Sequence, residues 1–274
     1  MHWREYLMEA SELGVLMFFT CLFGTVLYSG ASPVSRLGIS FTEKAALMGL
    51  SVAATTFLII RSPFGRRTGA HFNPAITLTY FYLGRVHRWD TLNYIAAQFC
   101  GAVAGVFVAH LVLGDRLSGP PVCYMITIPG RYGEFIAFAV EFALAATLFG
   151  VVLLTSNRWP LARFSPFMVA GITVFYYAFC PAISGFSVNP ARSLSSALFA
   201  QIWWGIWIYV AAPWLGMMAA AVAYIRSVGS EHLYCAKIFH DLRTPCPFNC
   251  RFYELYREAL DREAHGTSIR GERV

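Results

Sequence analysis

Gly69-Ala70-His71-Phe72-Asn73-Pro74-Ala75 returns, 116 residues later, as Gly185-Phe186-Ser187-Val188-Asn189-Pro190-Ala191. A single Asn-Pro-Ala tripeptide is a chance match. Two copies, each following a glycine at the same distance and each lying between long apolar stretches, point to a duplicated membrane chain with a turn repeated in both halves. Asn caps a helix well, and Pro suits the first helical position, where its missing N–H is not needed. Short helices are therefore predicted over about 74–82 and 190–200.

The surrounding composition sets the class. The 274 residues are 57% hydrophobic and only 13% charged, against about 25% charged for a soluble domain. Charge is absent from Val15 to Gly30, Ala45 to Ile60, Thr91 to Gly114, Phe142 to Asn157, Phe164 to Ala191 and Ser193 to Ile225. A helix crosses the hydrocarbon layer with about 20 apolar residues. Six spans are predicted, at about 10–30, 44–61, 90–114, 134–156, 165–182 and 203–226. The two Asn-Pro helices are too short to cross. Glu5, Glu9 and Glu12 precede the first apolar run and no clean cleavage site follows, so the first helix is expected to stay in place rather than be removed as a signal.

The halves also match at Tyr94-Ile95-Ala96-Ala97-Gln98 with Gly101 and Tyr209-Val210-Ala211-Ala212-Pro213 with Gly216. Three spans per half is odd, so the second half enters the membrane in the opposite sense. Inverted repeats of this kind place the working site near the midplane, where broken helices meet. The expected fold is an all-α membrane protein with six transmembrane helices plus two re-entrant half-helices. Residues 8–226 form the channel domain and 227–274 a C-terminal tail. Arg61, Arg66, Arg67, Arg85, Arg88, Arg158 and Arg163, with eight Lys/Arg from Arg226 onward, lie on one side. The positive-inside rule puts that side, and both termini, in the cytoplasm. Acidic residues interleave with the basic tail, which argues against nucleic acid as a partner.

Two helix N-termini meeting at mid-membrane create a positive barrier of the kind that excludes protons and cations. Asn73 and Asn189 add amide donors to the same space, or serve only as caps. Arg192 is the single charge between Phe164 and Ile225. An intramembrane arginine points to a functional site, although tying down a loop is a second role open to it. Coupled transport is disfavoured because Glu141 is the one acidic residue deep in a span. No enzymatic chemistry is indicated.

These stretches, with Ala97-Gln98 and Gly101-Ala102 in the third span and a glutamate early in each half, Glu12 and Glu141, resemble the signatures of the aquaporins, the major intrinsic protein family. The resemblance covers about residues 8–226. It implies a homotetramer with one pore per subunit and passive flow of water or small neutral solutes among membrane lipids. It implies that Glu12 and Glu141 accept hydrogen bonds from the re-entrant loop backbones; alternatively, Glu12 lies at the membrane surface with Glu9. It also implies a constriction built from Met48, Tyr177, Phe186 and Arg192. Water channels of the family resemble Phe-His-Cys/Thr-Arg there, and glycerol facilitators Trp-Gly-Phe-Arg. Tyr177 restores bulk where a glycerol channel needs room, and Ser193 and Ala197 resemble the water-selective subgroup. The reading favours water, with glycerol, hydrogen peroxide or ammonia as alternatives. A bacterial inner membrane is the expected location.

Seven cysteines are present. Cys21, Cys100 and Cys180 fall in spans, and Cys123 in a loop without an evident partner. Cys235, His240, Cys246 and Cys250 place four N/S donors within sixteen tail residues. That donor set suits tetrahedral zinc in kind, with gating of the pore as one consequence. The rival reading is a tail helix with incidental cysteines. Residues 254–274 are charged and read as partly disordered.

Overall fold

The computed structural model describes residues 2–159 and 161–260. Among them are six helices long and apolar enough to cross a membrane and no strand. The spans are Trp3–Tyr28, Phe41–Arg61, Arg88–Leu113, Glu134–Ser156, Leu161–Phe179 and Ile206–Ser227. The first starts well before the expected residue 10, so Glu5, Glu9 and Glu12 all lie inside it. The second opens on a capping box, with the Ser40 hydroxyl accepting from the Glu43 amide and the Glu43 carboxylate accepting from the Ser40 amide.

The duplication is visible in the packing. The first span packs on the third, the fourth on the sixth, and the second on the fifth. The first two pairs are copies of each other, and the last pair joins the halves. Bare backbone makes these crossings close. A Cβ at Gly101 would collide with the Ala10 carbonyl, one at Gly105 with that of Gly14, and one at Gly216 with that of Phe142. Helices in lipid have no hydrophobic force between them and associate through such small-residue contacts.

The half-helices are Pro74–Tyr82 and Pro190–Ala200, within a residue of the bounds read from sequence. At about 1.5 Å per residue they extend roughly 14 and 17 Å, about half of a hydrocarbon layer. Their tips touch. The arginine-rich stretch before the first is a short helix, Pro63–Thr68, capped by the Ser62 hydroxyl and closed by Gly69 at φ 95°.

The tail departs from expectation. It does not form a loose helix; residues 233–251 are irregular yet packed against the channel, followed by helical residues 252–260. Leu233, Ala236, Ile238, Phe239 and Phe248 join the channel's own hydrophobic core, while Tyr234, Cys235, Phe252 and Leu255 cluster on Ala162. The disorder expected from residue 254 is replaced by helix as far as 260, and 261–274 lie outside the described residues.

Candidate pore and its covered mouth

Both re-entrant loops repeat one backbone pattern. Left-handed residues fall four, three and one positions before each asparagine: Gly69, Ala70 and Phe72 in the first loop, Gly185, Phe186 and Val188 in the second. Five positions before each asparagine stands a hydroxyl residue, Thr68 or Ser184. Each accepts through its side chain from the amide two residues on, at 3.0 and 3.2 Å. Each also accepts through its carbonyl from a tyrosine of the matched motif, Tyr94 at 2.9 Å and Tyr209 at 2.5 Å.

The asparagines do more than cap. Asn73 Oδ1 accepts from the Ala75 amide, and Asn189 Oδ1 from those of Ala191 and Arg192. Each amide nitrogen then donates across to the other half: Asn73 Nδ2 to the Val188 carbonyl and Asn189 Nδ2 to the Phe72 carbonyl, both at 2.7 Å. One N–H of each amide is spent on this clamp, and each carries a second.

Buried carboxylates hold the loops, with an unequal division of labour. Glu141 alone accepts from the Ser184 hydroxyl (2.8 Å), the Ser187 amide (3.1 Å) and the Val188 amide (2.7 Å). In the first half the same work is split. Glu12 accepts from the Thr68 hydroxyl at 2.7 Å, and Glu9 from the Phe72 amide at 2.5 Å and from Gln98 Nε2 at 2.7 Å. The backbone-holding role expected for Glu12 therefore belongs to Glu9. The reason is helical: the span begins at Trp3, and Glu9 lies almost one turn before Glu12, level with the tip of the loop rather than its root. Neither is at a surface, since the Pro63–Thr68 helix covers the start of the first span and Arg67 pairs with Glu5 at 2.7 Å. In the second half, Pro213 stands in the place of Gln98 and has no side-chain donor.

A narrow cavity of about 90 Å³ runs past both asparagines. That is room for about three waters at roughly 30 Å³ each. Leu16, Val52, Ile76 and Val169 supply apolar wall, and Thr20, Thr56 and Thr173 supply hydroxyls. Tyr177, Phe186 and Arg192 all line it. The Tyr177 and Phe186 rings meet edge to face at 4.7 Å between centroids. Arg192 is 8% exposed, and its Nη1 has no hydrogen-bond partner among the described residues. Met48 differs from expectation: it is fully buried and is not among the lining residues, and the second span presents Val52 and Thr56 instead. Met48 lies one turn from Val52, beside Gly49, where the span closes directly onto the Tyr177 Cβ and the Val174 carbonyl. Ser193 and Ala197 are wholly buried, Ser193 bonding Thr127 at 2.7 Å and Ser187 at 2.6 Å.

Sequence reasoning missed one lining residue of this cavity, Ile238 of the tail. Its amide donates to the Gly69 carbonyl at 3.0 Å. Beside it, His71 donates through Nε2 to the Ala236 carbonyl at 2.8 Å and stacks on Phe248 at 5.1 Å. Lys237 Nζ donates to the Arg66 carbonyl and, at 3.0 Å, to that of Pro245. Asn157 Oδ1 accepts from the Tyr234 and Cys235 amides, and Asn249 bonds Gly84 and Arg85. Apolar residues following the last span were the available signal, but nothing in their spacing shows where they dock.

The four donors named from sequence do come together. One ligand atom from each of Cys235, His240, Cys246 and Cys250 lies within 4.8 Å of all the others. Burial pushes the Cys235 thiol well up, while hydrogen bonds from Cys235 and Cys246 hold the Cys250 sulfur far below the usual thiol range. His240 stacks flat on Phe252 at 4.3 Å.

Known proteins share this architecture. The sequence model of the major intrinsic protein family matches residues 1–224. A glycerol uptake facilitator protein-like 6 of Lactiplantibacillus plantarum is 32% identical over 237 residues, covering 83% of this chain and 99% of that one. A probable aquaporin NIP-type of Nicotiana alata is 30% identical over 222 residues, 78% of each chain. Aquaporin Z of Brucella melitensis is 28% identical over 224 residues, 79% of this chain and 94% of that one. Among solved structures, the aquaglyceroporin from Plasmodium falciparum superposes with a TM-score of 0.68 at 20% identity, covering 85% of this chain and 99% of its own. With six membrane-length helices, two clamped Asn-Pro half-helices and a family match along most of its length, this chain is an integral membrane channel of the major intrinsic protein family.

Proposed function

We propose that the chain is a passive water channel that excludes protons and ions. The carrying observation is the constriction: two aromatic rings crossing at 4.7 Å beside an arginine with an unpartnered buried Nη1, on a cavity of about 90 Å³. Arg192 offers fixed donors to a passing water and repels cations. Asn73 and Asn189 each keep one N–H for the same water, at the positive ends of two half-helices. Water held by both asparagines points its hydrogens outward, which interrupts an oriented proton wire. Glu9, Glu12 and Glu141 keep the loops in place. The arginine-rich face, with both termini, lies in the cytoplasm of a cell membrane, and the protein assembles as a homotetramer; cross-linking in native membranes tests the assembly.

A second reading, a facilitator for glycerol or another small neutral solute, draws on the apolar wall of Leu16, Val52, Ile76 and Val169 and on a relative named as a glycerol uptake facilitator. Stopped-flow light scattering on proteoliposomes separates the two. Fast shrinkage in sucrose without re-swelling in glycerol is expected of the full chain or, where the tail closes it, of Ile238→Ala. Re-swelling in glycerol replaces the water reading with the solute reading. No acceleration by the full chain or by Ile238→Ala overturns both.

A further inference from the structure

Residues 233–250 hold two things the channel does not require: a knot of four soft donors, and an aliphatic side chain seated in the pore wall. We propose that Cys235, His240, Cys246 and Cys250 bind one Zn²⁺, and that this ion pins the segment across the cytoplasmic mouth as a plug tipped by Ile238. The gating half of the proposal rests on the channel reading above.

The donor geometry is close to what zinc asks for. Zn–S near 2.3 Å and Zn–N near 2.0–2.1 Å put neighbouring tetrahedral donors about 3.6–3.8 Å apart. Here Cys235 Sγ and Cys246 Sγ are 3.5 Å apart, His240 Nε2 and Cys250 Sγ are 3.1 Å apart, and no pair exceeds 4.8 Å. Shifts of about an ångström or less bring all four onto one tetrahedron. Three thiolates and an imidazole fill every position, which is the closed pattern of a structural site, and soft sulfur disfavours Mg²⁺ and Ca²⁺.

The surroundings fit the charge. Zn²⁺ with three thiolates is a net monoanion. Two cations stand within electrostatic range of the knot: Arg85, whose Nε is buried and without a hydrogen-bond partner among the described residues, and Lys237, whose backbone lies two residues from Cys235. The segment also needs a staple. Residues 233–251 contain no helix or strand, and a loop that long rarely holds one shape unaided. Where a preformed site is absent from the unfolded chain, metal-binding energy becomes folding energy.

Ligand and plug share one stretch of backbone. Cys235 precedes Ala236, whose carbonyl takes the His71 N–H; then come Lys237, bonded to the Arg66 carbonyl, and Ile238, bonded to the Gly69 carbonyl. Ile238 is 1% exposed and meets the same cavity as Asn73 and Asn189. Release of Cys235 from the metal loosens the segment that carries the tip.

The test uses the full chain, purified without added metal or chelator. Metal analysis should find one zinc per chain, lost in Cys250→Ser. Cobalt(II) exchanged into the stripped protein should give the intense visible absorption of a tetrahedral thiolate site. Absence of metal, or a Cys235–Cys246 disulfide detected by mass spectrometry in its place, overturns the zinc site. Water permeability is then compared for zinc-loaded, chelator-stripped and Ile238→Ala channels, the last retaining its zinc. Stripping and Ile238→Ala should both accelerate water flux. A channel 1% open that becomes half open gains roughly fifty-fold. Fast flux in all three overturns the plug and leaves the channel reading standing. Slow flux in all three overturns the channel reading and, with it, the gate.

Discussion

Replacing Glu141 by Gln tests how the second loop is held. The carboxylate receives two backbone amides and one hydroxyl. Glutamine keeps one acceptor oxygen and turns the other into an NH₂ group. If the oxygen stays on the Val188 amide, the Ser187 amide keeps its longer bond to that oxygen, 3.3 Å, and meets the NH₂ in place of its 3.1 Å acceptor; reversed, the Val188 amide meets the NH₂. Either way a buried N–H is left with its poorer acceptor or with none, at about 1–3 kcal/mol, and the surviving bonds lose the charge assistance that adds about another 1–2 kcal/mol. The total is about 2–5 kcal/mol. For a chain of this size about 2–4 °C per kcal/mol converts this to a melting point roughly 4–20 °C lower. Glu12→Gln is the control. Its one donor is the rotatable Thr68 hydroxyl, which can still find the remaining oxygen, so a loss below about 1 kcal/mol is expected. Thermal unfolding in detergent, read by size-exclusion chromatography of heated samples, measures both. Equal losses, or a larger one for Glu12→Gln, would refute the division of labour inferred between the halves.

Arg192→Val should admit glycerol and protons, measured by re-swelling and by an internal pH dye; unchanged exclusion of both removes Arg192 from the filter. Tyr177→Gly should raise glycerol permeability about tenfold or more, equivalent to about 1.4 kcal/mol of barrier; no gain means that the ring does not set the constriction. Gly105→Leu should cost several kcal/mol, because its side chain meets the backbone of Gly14. Gly171→Ala, with nothing within 4 Å of a new Cβ, should be neutral or up to about 1 kcal/mol stabilising; denaturation in mixed detergent compares the two. Asn157→Ala removes the acceptor shared by the Tyr234 and Cys235 amides. It should loosen the docked tail by about 1–3 kcal/mol, seen as faster hydrogen exchange over residues 233–239.

Local signals were legible where the chain needs only itself. Asn-Pro fixes a helix start regardless of context, so both half-helices were readable to within a residue; the six spans were readable from their uncharged runs, but not their ends, since the first begins at Trp3 rather than near residue 10. Glu9 was not, because its burial depends on Pro63–Thr68 folding over it and on Gln98 reaching it from another span. Met48 was assigned through the resemblance, across the stretch that folds as Pro63–Thr68, and lies one turn away from the wall that Val52 forms. The tail donors were visible as a group because metal chemistry constrains residue type within a short stretch. The docking site was invisible, since Leu233, Ala236 and Ile238 follow neither a helical nor a strand period and are held by carbonyls of distant loops.

The crossed asparagine clamp has a consequence for biosynthesis. Each loop closes on a carbonyl of the other, so neither is complete until Asn189 has entered the membrane. The 116 residues separating it from Asn73 take about 6–23 s to translate at roughly 5–20 residues per second. For that interval the first half-helix sits in the bilayer or its insertion machinery with the Phe72 carbonyl and one Asn73 N–H still awaiting their permanent mates. The half that must wait is also the one equipped with Glu9, Glu12 and Gln98. It holds its own loop with side chains already synthesised, while the later half, arriving at a finished partner, manages with Glu141.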